Sequence, residues 1–115
     1  MTPQPLLVLT TLPDATIAEA IARRLIDDGC AACVAVGSPI RSLYHWRGKT
    51  ETGTETPLSI KTTTGTYQAV ETLLRELHPY ELPEIIAIPI TGGLAPYLDW
   101  IAAESDRSSA HALAS

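Results

Sequence analysis

The chain has 115 residues, of which 45% are hydrophobic and 18% are charged, a composition typical of a globular protein with one sizeable core and unlike that of a disordered chain. Its 8 Lys and Arg against 13 Asp and Glu give a formal net charge of -5 without any basic cluster, so we expect no nucleic-acid partner. The N-terminal apolar run is broken by Thr10, Thr11 and Pro13 well short of a membrane span, so we expect no membrane partner and a cytoplasmic location.

The first half of the chain predicts a strand, a helix and an interrupted strand. Residues 5–11 form a short apolar run of β-formers between prolines. Over residues 14–28 apolar side chains recur at every fourth position, which is typical of an amphipathic helix, and either Asp14 or Thr16 could cap it. Strand character returns over residues 33–46, with a break at Gly-Ser-Pro, residues 37–39.

The second half predicts a strand, a helix, a strand and a short helix. After a turn at residues 47–49, the threonine-rich residues 50–63 alternate and predict a strand that folds back on the previous one. Residues 66–77 predict a helix that the following Pro79 ends. Residues 84–90, EIIAIPI, are apolar on both faces and predict a central strand, and Pro96 begins the last helix.

The order β-α-β-β-α-β plus a terminal helix is that of a ferredoxin-like α+β sandwich, with both main helices on one face of an antiparallel sheet. We expect a single domain over residues 1–104 and a flexible C-terminal tail over residues 105–115. The arms of the central hairpin reach about a dozen residues each, so their far ends would leave Tyr44 and Trp46 uncovered. Such an edge needs a cover, which favours self-assembly.

Cys30 and Cys33 form a C-x-x-C pair that invites a redox or zinc interpretation. Gly29 is predicted to end the preceding helix, so the pair follows a helix rather than opening one and lies near the wrong dipole end for a thiolate. Zinc would need two more ligands, and the sequence has no second C-x-x-C and no H-x-x-x-H. We therefore expect two reduced, buried cysteines that act as small apolar residues.

Six stretches together resemble one family. They are TTLPD (10–14), CAACVAV (30–36), SLYHWRGK (42–49), LSIKTT (58–63), HPYELPEIIAIPI (78–90) and YLDWI (97–101). In order and spacing they resemble the CutA family of divalent-cation tolerance proteins, from about residue 5 to 104. The resemblance implies a ferredoxin-like subunit in a homotrimer, with long hairpins crossing between subunits, and a response to metal ions that includes copper binding.

The copper ligands proposed in some members of that family are only partly present. They are a cysteine near the end of the first strand and two adjacent histidines before the proline of the HPY motif. Here Thr10 and Leu77 occupy two of these positions, and His78 retains the third. Losing a thiolate and an imidazole leaves a poor copper site, so we expect copper(II) or another divalent cation to be weakly bound, and His78→Ala to weaken binding with little loss of stability.

The HPY stretch lies between a helix and a strand, where binding groups are often displayed. We interpret it as part of a cleft between subunits, with His78 and Glu81 as donors to a metal or a small ligand. Further cleft residues, which would supply contacts to an anion or aromatic contacts, are Lys61, Tyr44, Trp46 and Tyr80. The alternative is structural: His78 would act as a cation at the helix C-terminus, and Glu81 and Glu84 would pair with basic residues of a neighbouring chain. His45 and His111 are expected at the surface.

The sequence has no Gly-rich phosphate loop, no G-x-S-x-G and no cysteine with an evident basic partner. We therefore expect that the protein is not an enzyme. A second functional class stays open beside the metal protein. It is a trimeric signalling or scaffolding protein like the nitrogen-regulatory signal transducers, which share the fold and bind small anions in subunit clefts. The downstream protein partner is unknown in either case.

Overall fold

The computed structural model describes residues 3–107. Its elements are β1 (Pro5–Leu12), α1 (Ala15–Asp27), β2 (Cys33–Val36), β3 (Ile40–Trp46), β4 (Lys49–Thr63), α2 (Tyr67–Leu77), β5 (Ile86–Pro89) and α3 (Ala95–Glu104). The strands pair antiparallel in the order β2-β4-β1-β5, and β3 pairs with the first half of β4. This confirms the predicted ferredoxin-like α+β arrangement, with the interrupted strand resolved into β2 and β3.

The prediction that residues 84–90 form a central strand was wrong. β5 pairs with β1 and lies at the edge of the sheet. Its side chains Ile86 and Ile88 are 48% and 44% exposed. An apolar pattern on both faces indicates a strand that is covered on both faces. It does not indicate whether the covering surface belongs to the same chain or to another one.

The core lies between the sheet and the helices α1 and α2. It is built from alternating sheet residues and helix residues, among them Val8, Leu58, Ile60, Leu25, Val70 and Leu74. β4 serves two roles along its length: residues 56–63 pair with β1 and bury alternate side chains against the helices, whereas residues 49–55 pair with β3 beyond them. The β3 strand and residues 49–55 of β4 therefore project from the core, as expected.

Both ends of α1 follow from local chemistry. The Asp14 carboxylate accepts the Ile17 backbone N–H at 2.9 Å, so Asp14 is the N-cap. Gly29 ends the helix with a φ of 74°, a left-handed conformation that favours glycine. The Gly29 N–H donates to the Ile26 carbonyl and the Cys30 N–H donates to the Leu25 carbonyl. These are the two hydrogen bonds of a Schellman motif.

The cysteines follow this motif as predicted, and both are free thiols. Cys30 is buried, but Cys33 is only half-buried. The expectation that both would be buried was therefore wrong for Cys33, because β2 lies at the edge of the sheet and its side chains have fewer neighbours.

Helix α3 packs against β4 and β1, and its Ile101 is buried. The residues after it are also held: Ser105 is buried, and Arg107 bonds the carbonyls of Gly29 and Ile26 at the end of α1. Within the tail predicted over residues 105–115, Ser105 and Arg107 thus contact the rest of the chain. Residues 108–115, with His111, lie outside the described part of the chain.

Candidate functional site

A groove of about 880 Å³ lies between the projecting hairpin and the loop that follows α2. We call it the hairpin groove. Its two walls are the β3–β4 segments 42–46 and 53–55 and the loop 79–84. Because side chains alternate along a strand, Ser42, Tyr44 and Trp46 share one face of β3. The register pairs Ile40 with Glu55, which places the Glu55 carboxylate on that same face.

The turn at the hairpin tip sets this register. Trp46 pairs with Lys49, so Arg47 and Gly48 form a two-residue turn, with φ values of 51° and 80°. Two positive φ values in succession are those of a type I′ turn, the connection that fits the twist of an antiparallel pair. The exposed aromatics predicted at this tip are partly covered by the chain itself: Trp46 is half-buried and Tyr44 is exposed, and both face the loop 79–84.

His78 is not displayed on the turn as we expected. It ends α2, and its side chain is only 8% exposed. Its Nε2 lies 2.7 Å from the Thr11 carbonyl oxygen, and its Nδ1 accepts the Tyr80 backbone N–H at 3.2 Å. A carbonyl only accepts, so the ring carries its proton on Nε2 and uses the Nδ1 lone pair for Tyr80.

The imidazole is therefore neutral. Burial lowers the pKa of His78, opposed in smaller part by its hydrogen bond to the Thr11 carbonyl and by the charge of Glu55. This disfavours the alternative in which His78 acts as a cation at the end of α2. Since both ring nitrogens already have partners in the chain, a metal ion could use Nδ1 only by displacing the Tyr80 N–H.

Glu55 is a groove residue that sequence reasoning missed. Its carboxylate accepts the Ser42 hydroxyl at 2.6 Å. Burial raises the pKa of Tyr80 to about 12, helped by a hydrogen bond to Glu55 and by its charge. The Arg-Gly dipeptide at 47–48 was the available signal, because a two-residue turn there pairs residue 40 with residue 55.

Glu81 lies at the rim of the hairpin groove. Its carboxylate forms a 2.9 Å ion pair with the Arg47 guanidinium, with both side chains more than two-thirds exposed. Arg47 also lies over the Trp46 ring, 5.4 Å from its centroid. Surface ion pairs contribute little to stability, so Glu81 can exchange this partner for another.

Lys61 is not part of the groove. It alternates with the buried Ile60 and Thr62, so its side chain leaves the other face of β4. There its ammonium donates to the Tyr97 hydroxyl at 3.0 Å, and this bond raises the pKa of Lys61. Within one chain the structure thus brings together Tyr44, Trp46, Tyr80 and Glu81, with His78 behind them, and leaves Lys61 under α3.

The donor set of one chain does not complete a metal site. Within residues 3–107 no three His, Cys, Asp or Glu side chains converge as a metal centre would require. Thr10, at the position of the family's cysteine, is buried in the sheet with a hydroxyl that has no hydrogen-bond partner. Its alcohol is no substitute for a soft thiolate.

The fold and the groove define the class of protein: a ferredoxin-like α+β protein with a projecting hairpin. Its similarity to known proteins defines the family. Residues 6–104 match the family model described as CutA1 divalent ion tolerance protein. The chain is 40% identical over 94 residues to the divalent-cation tolerance protein CutA of Pectobacterium atrosepticum, covering 82% of this chain and 86% of that protein. This chain belongs to the CutA1 divalent ion tolerance family.

Solved structures agree with this assignment. CutA1 from the psychrotrophic bacterium Shewanella sp. SIB1 has a TM-score of 0.87 and 45% identity, over 92% of this chain and 99% of that one. CutA from Archaeoglobus fulgidus, described as periplasmic, has a TM-score of 0.85 and 37% identity, over 89% of this chain and 99% of that one. Among the described residues, no helix has the length and apolar character needed to cross a bilayer.

Proposed function

We propose that this protein is a homotrimeric divalent-cation tolerance protein that binds copper(II) or another divalent metal weakly and is not an enzyme. Membership of a family named for divalent-ion tolerance supports the metal part. The observation that carries it is the neutral imidazole of His78 beside the groove, because the neutral ring is the form that binds metals.

His78 and Glu81 are the proposed donors. The Tyr80 N–H lies at the long end of the hydrogen-bond range from Nδ1, at 3.2 Å, so a metal can compete for that lone pair at modest cost. Glu81 is exposed and exchangeable. One borderline and one hard ligand fall short of a full copper set, so water or another chain completes the coordination and the affinity is low.

Open sheet edges support self-assembly. Among them are β5, with its exposed isoleucines Ile86 and Ile88, and the hairpin strand β3, where Leu43 is 67% exposed. Exposed apolar edges are prone to pair with another chain, and pairing between two different edges gives a ring when the rotation between subunits closes. The family resemblance implies three copies in that ring.

The two free cysteines support a cytoplasmic location, because reducing compartments preserve thiols. Fractionation of cells that express the full chain tests this directly. Recovery with periplasmic markers, as the description of the Archaeoglobus relative implies for that protein, would contradict it.

Calorimetric titration with copper(II) tests the metal proposal. We expect weak binding that His78→Gln and Glu81→Gln both reduce and that Glu19→Gln, which removes an exposed carboxylate of α1, leaves unchanged. Equal binding by His78→Gln would place the metal elsewhere. Light scattering at micromolar concentration should give the mass of three chains, and a monomer mass would refute the assembly.

The anion-binding alternative gains no support from the groove of one chain. Its lining includes the carboxylates of Glu55, Glu81 and Glu84, which repel anions. The Lys61 assigned to it from sequence lies elsewhere. A panel of nucleotides in the same calorimeter checks the point, because tight nucleotide binding would favour the signalling class.

A further inference from the structure

We infer that the hairpin groove binds an organic cation, a guanidinium or primary ammonium group, held between the rings of Trp46 and Tyr44 and the carboxylate of Glu55. This site shares Glu81 at its rim with the proposed metal donors, but its Trp46, Tyr44 and Glu55 groups take no part in the proposed metal binding and it does not require His78. Its volume of about 880 Å³ falls in the range of roughly 300–1,000 Å³ that is usual for small-molecule sites.

Charge decides the ligand class. The groove is lined by the three carboxylates of Glu55, Glu81 and Glu84, and its lining includes no Lys or Arg. The nearby cation is Arg47 at the tip, which pairs with Glu81. Lys61 was predicted from sequence as a possible anion contact in this cleft, but its ammonium bonds Tyr97 instead, so the charge of the groove favours a cation.

The chain itself shows the recognition chemistry. The Arg47 guanidinium lies 5.4 Å from the centre of the Trp46 ring and 2.9 Å from a Glu81 oxygen. A flat, weakly hydrated cation between an aromatic face and a carboxylate is the pairing that a guanidinium prefers. Arg47 makes it at the exposed rim, which leaves the inner wall of the groove to another cation.

Glu55 is suited to be the inner anchor. The Ser42 hydroxyl donates to its carboxylate at 2.6 Å, which orients the group. A carboxylate offers about four acceptor positions, so this donor leaves room for the N–H groups of a ligand. The rings of Tyr44 and Tyr80 line the same space.

The aromatic walls also distinguish this site from a metal site. A small divalent ion would need several converging ligand atoms, and no three-group cluster of His, Cys, Asp or Glu occurs within residues 3–107. An organic cation needs one oriented carboxylate and a ring face. The groove offers both.

The probe is agmatine, which carries a guanidinium and a primary ammonium, with AMP as the anionic comparison. Binding is followed by Trp46 fluorescence in the full-length protein with Trp100→Phe, since the chain has two tryptophans, and by calorimetry. We expect saturable binding of agmatine and none of AMP. Absence of saturation by millimolar agmatine overturns the inference.

Two variants locate the site and a third is the control. Glu55→Gln keeps an acceptor for Ser42 and should weaken agmatine binding about tenfold or more, because a hydrogen bond to a charged group is lost. Trp46→Leu, followed by calorimetry, should weaken it severalfold. Glu19→Gln removes the same charge from the exposed face of α1 and should change binding less than twofold.

Arg47→Ala is the most informative variant, because the direction in which it changes ligand affinity differs between a cation site and an anion site. Removing Arg47 frees the Trp46 face and Glu81, so agmatine should bind severalfold more tightly. In an anion site the same change weakens binding. Tighter AMP binding than agmatine binding, or weaker agmatine binding by Arg47→Ala, overturns the inference.

The copper titration separates this inference from the proposed function. Trp46→Leu should lose agmatine affinity and bind copper(II) as the parent does. If agmatine fails to bind while His78→Gln still loses copper, the groove inference fails alone.

Discussion

His78→Ala tests whether the buried imidazole stabilises the fold. If His78 were displayed on the turn, its truncation to alanine would change the stability of the fold little. The structure instead buries it at 8% exposure, with one bond to Thr11 and one from Tyr80. Truncation leaves the Thr11 carbonyl and the Tyr80 N–H without their partner. Each unsatisfied buried group costs about 1–3 kcal/mol. The Tyr80 contact is the longer of the two and only part-buried, so it contributes less, and we expect the free energy of unfolding to fall by about 2–4 kcal/mol in total.

Urea unfolding of the metal-free protein, followed by circular dichroism at pH 7.5 and one fixed chain concentration, measures this loss. A fixed concentration is needed because assembly makes stability depend on it. His78→Gln, which retains an N–H donor for the Thr11 carbonyl, should recover part of the loss. His45→Ala is the exposed control and should stay within about 0.5 kcal/mol of the parent. The same small effect for His78→Ala would refute the assigned hydrogen bonds.

Three further outcomes follow from the same geometry. Because burial lowers the pKa of His78, its contribution to stability is complete above about pH 6.5 and is lost as pH falls through its folded pKa; a urea series should show this slope in the metal-free parent and a flatter one in His78→Gln. Burial, followed by the charge of Asp28, raises the pKa of the Cys30 thiol, so a thiol reagent should label the half-buried Cys33 first and Cys30 only on unfolding, as mass spectrometry of the labelled peptides will show. A Cβ added at Gly37 would lie 2.8 Å from a Pro57 ring carbon, so Gly37→Ala should cost about 1–3 kcal/mol in urea unfolding, whereas Gly92→Ala, with nothing within 4 Å, should stay near the parent.

The sequence predicts best what is decided locally. The Asp14 cap, the Gly29 end of α1 and the order of strands and helices all depend on residues a few positions apart. The edge position of β5 was not predictable in this way, because an apolar strand looks the same whether its cover is another element of the chain or a second copy. The burial of His78 depends on Thr11, 67 residues away in sequence, and no local pattern contains that contact.

The hairpin groove shows how a local choice sets the chemistry of a distant site. The two-residue turn at Arg47 and Gly48 fixes the register of β3 against β4. A shift of one residue would turn every side chain of one strand to the other face. Glu55 would then leave the wall that carries Tyr44 and Trp46, and the groove would keep its rings but lose its inner carboxylate. The ligand class of the groove therefore rests on the turn as much as on the residues that line it.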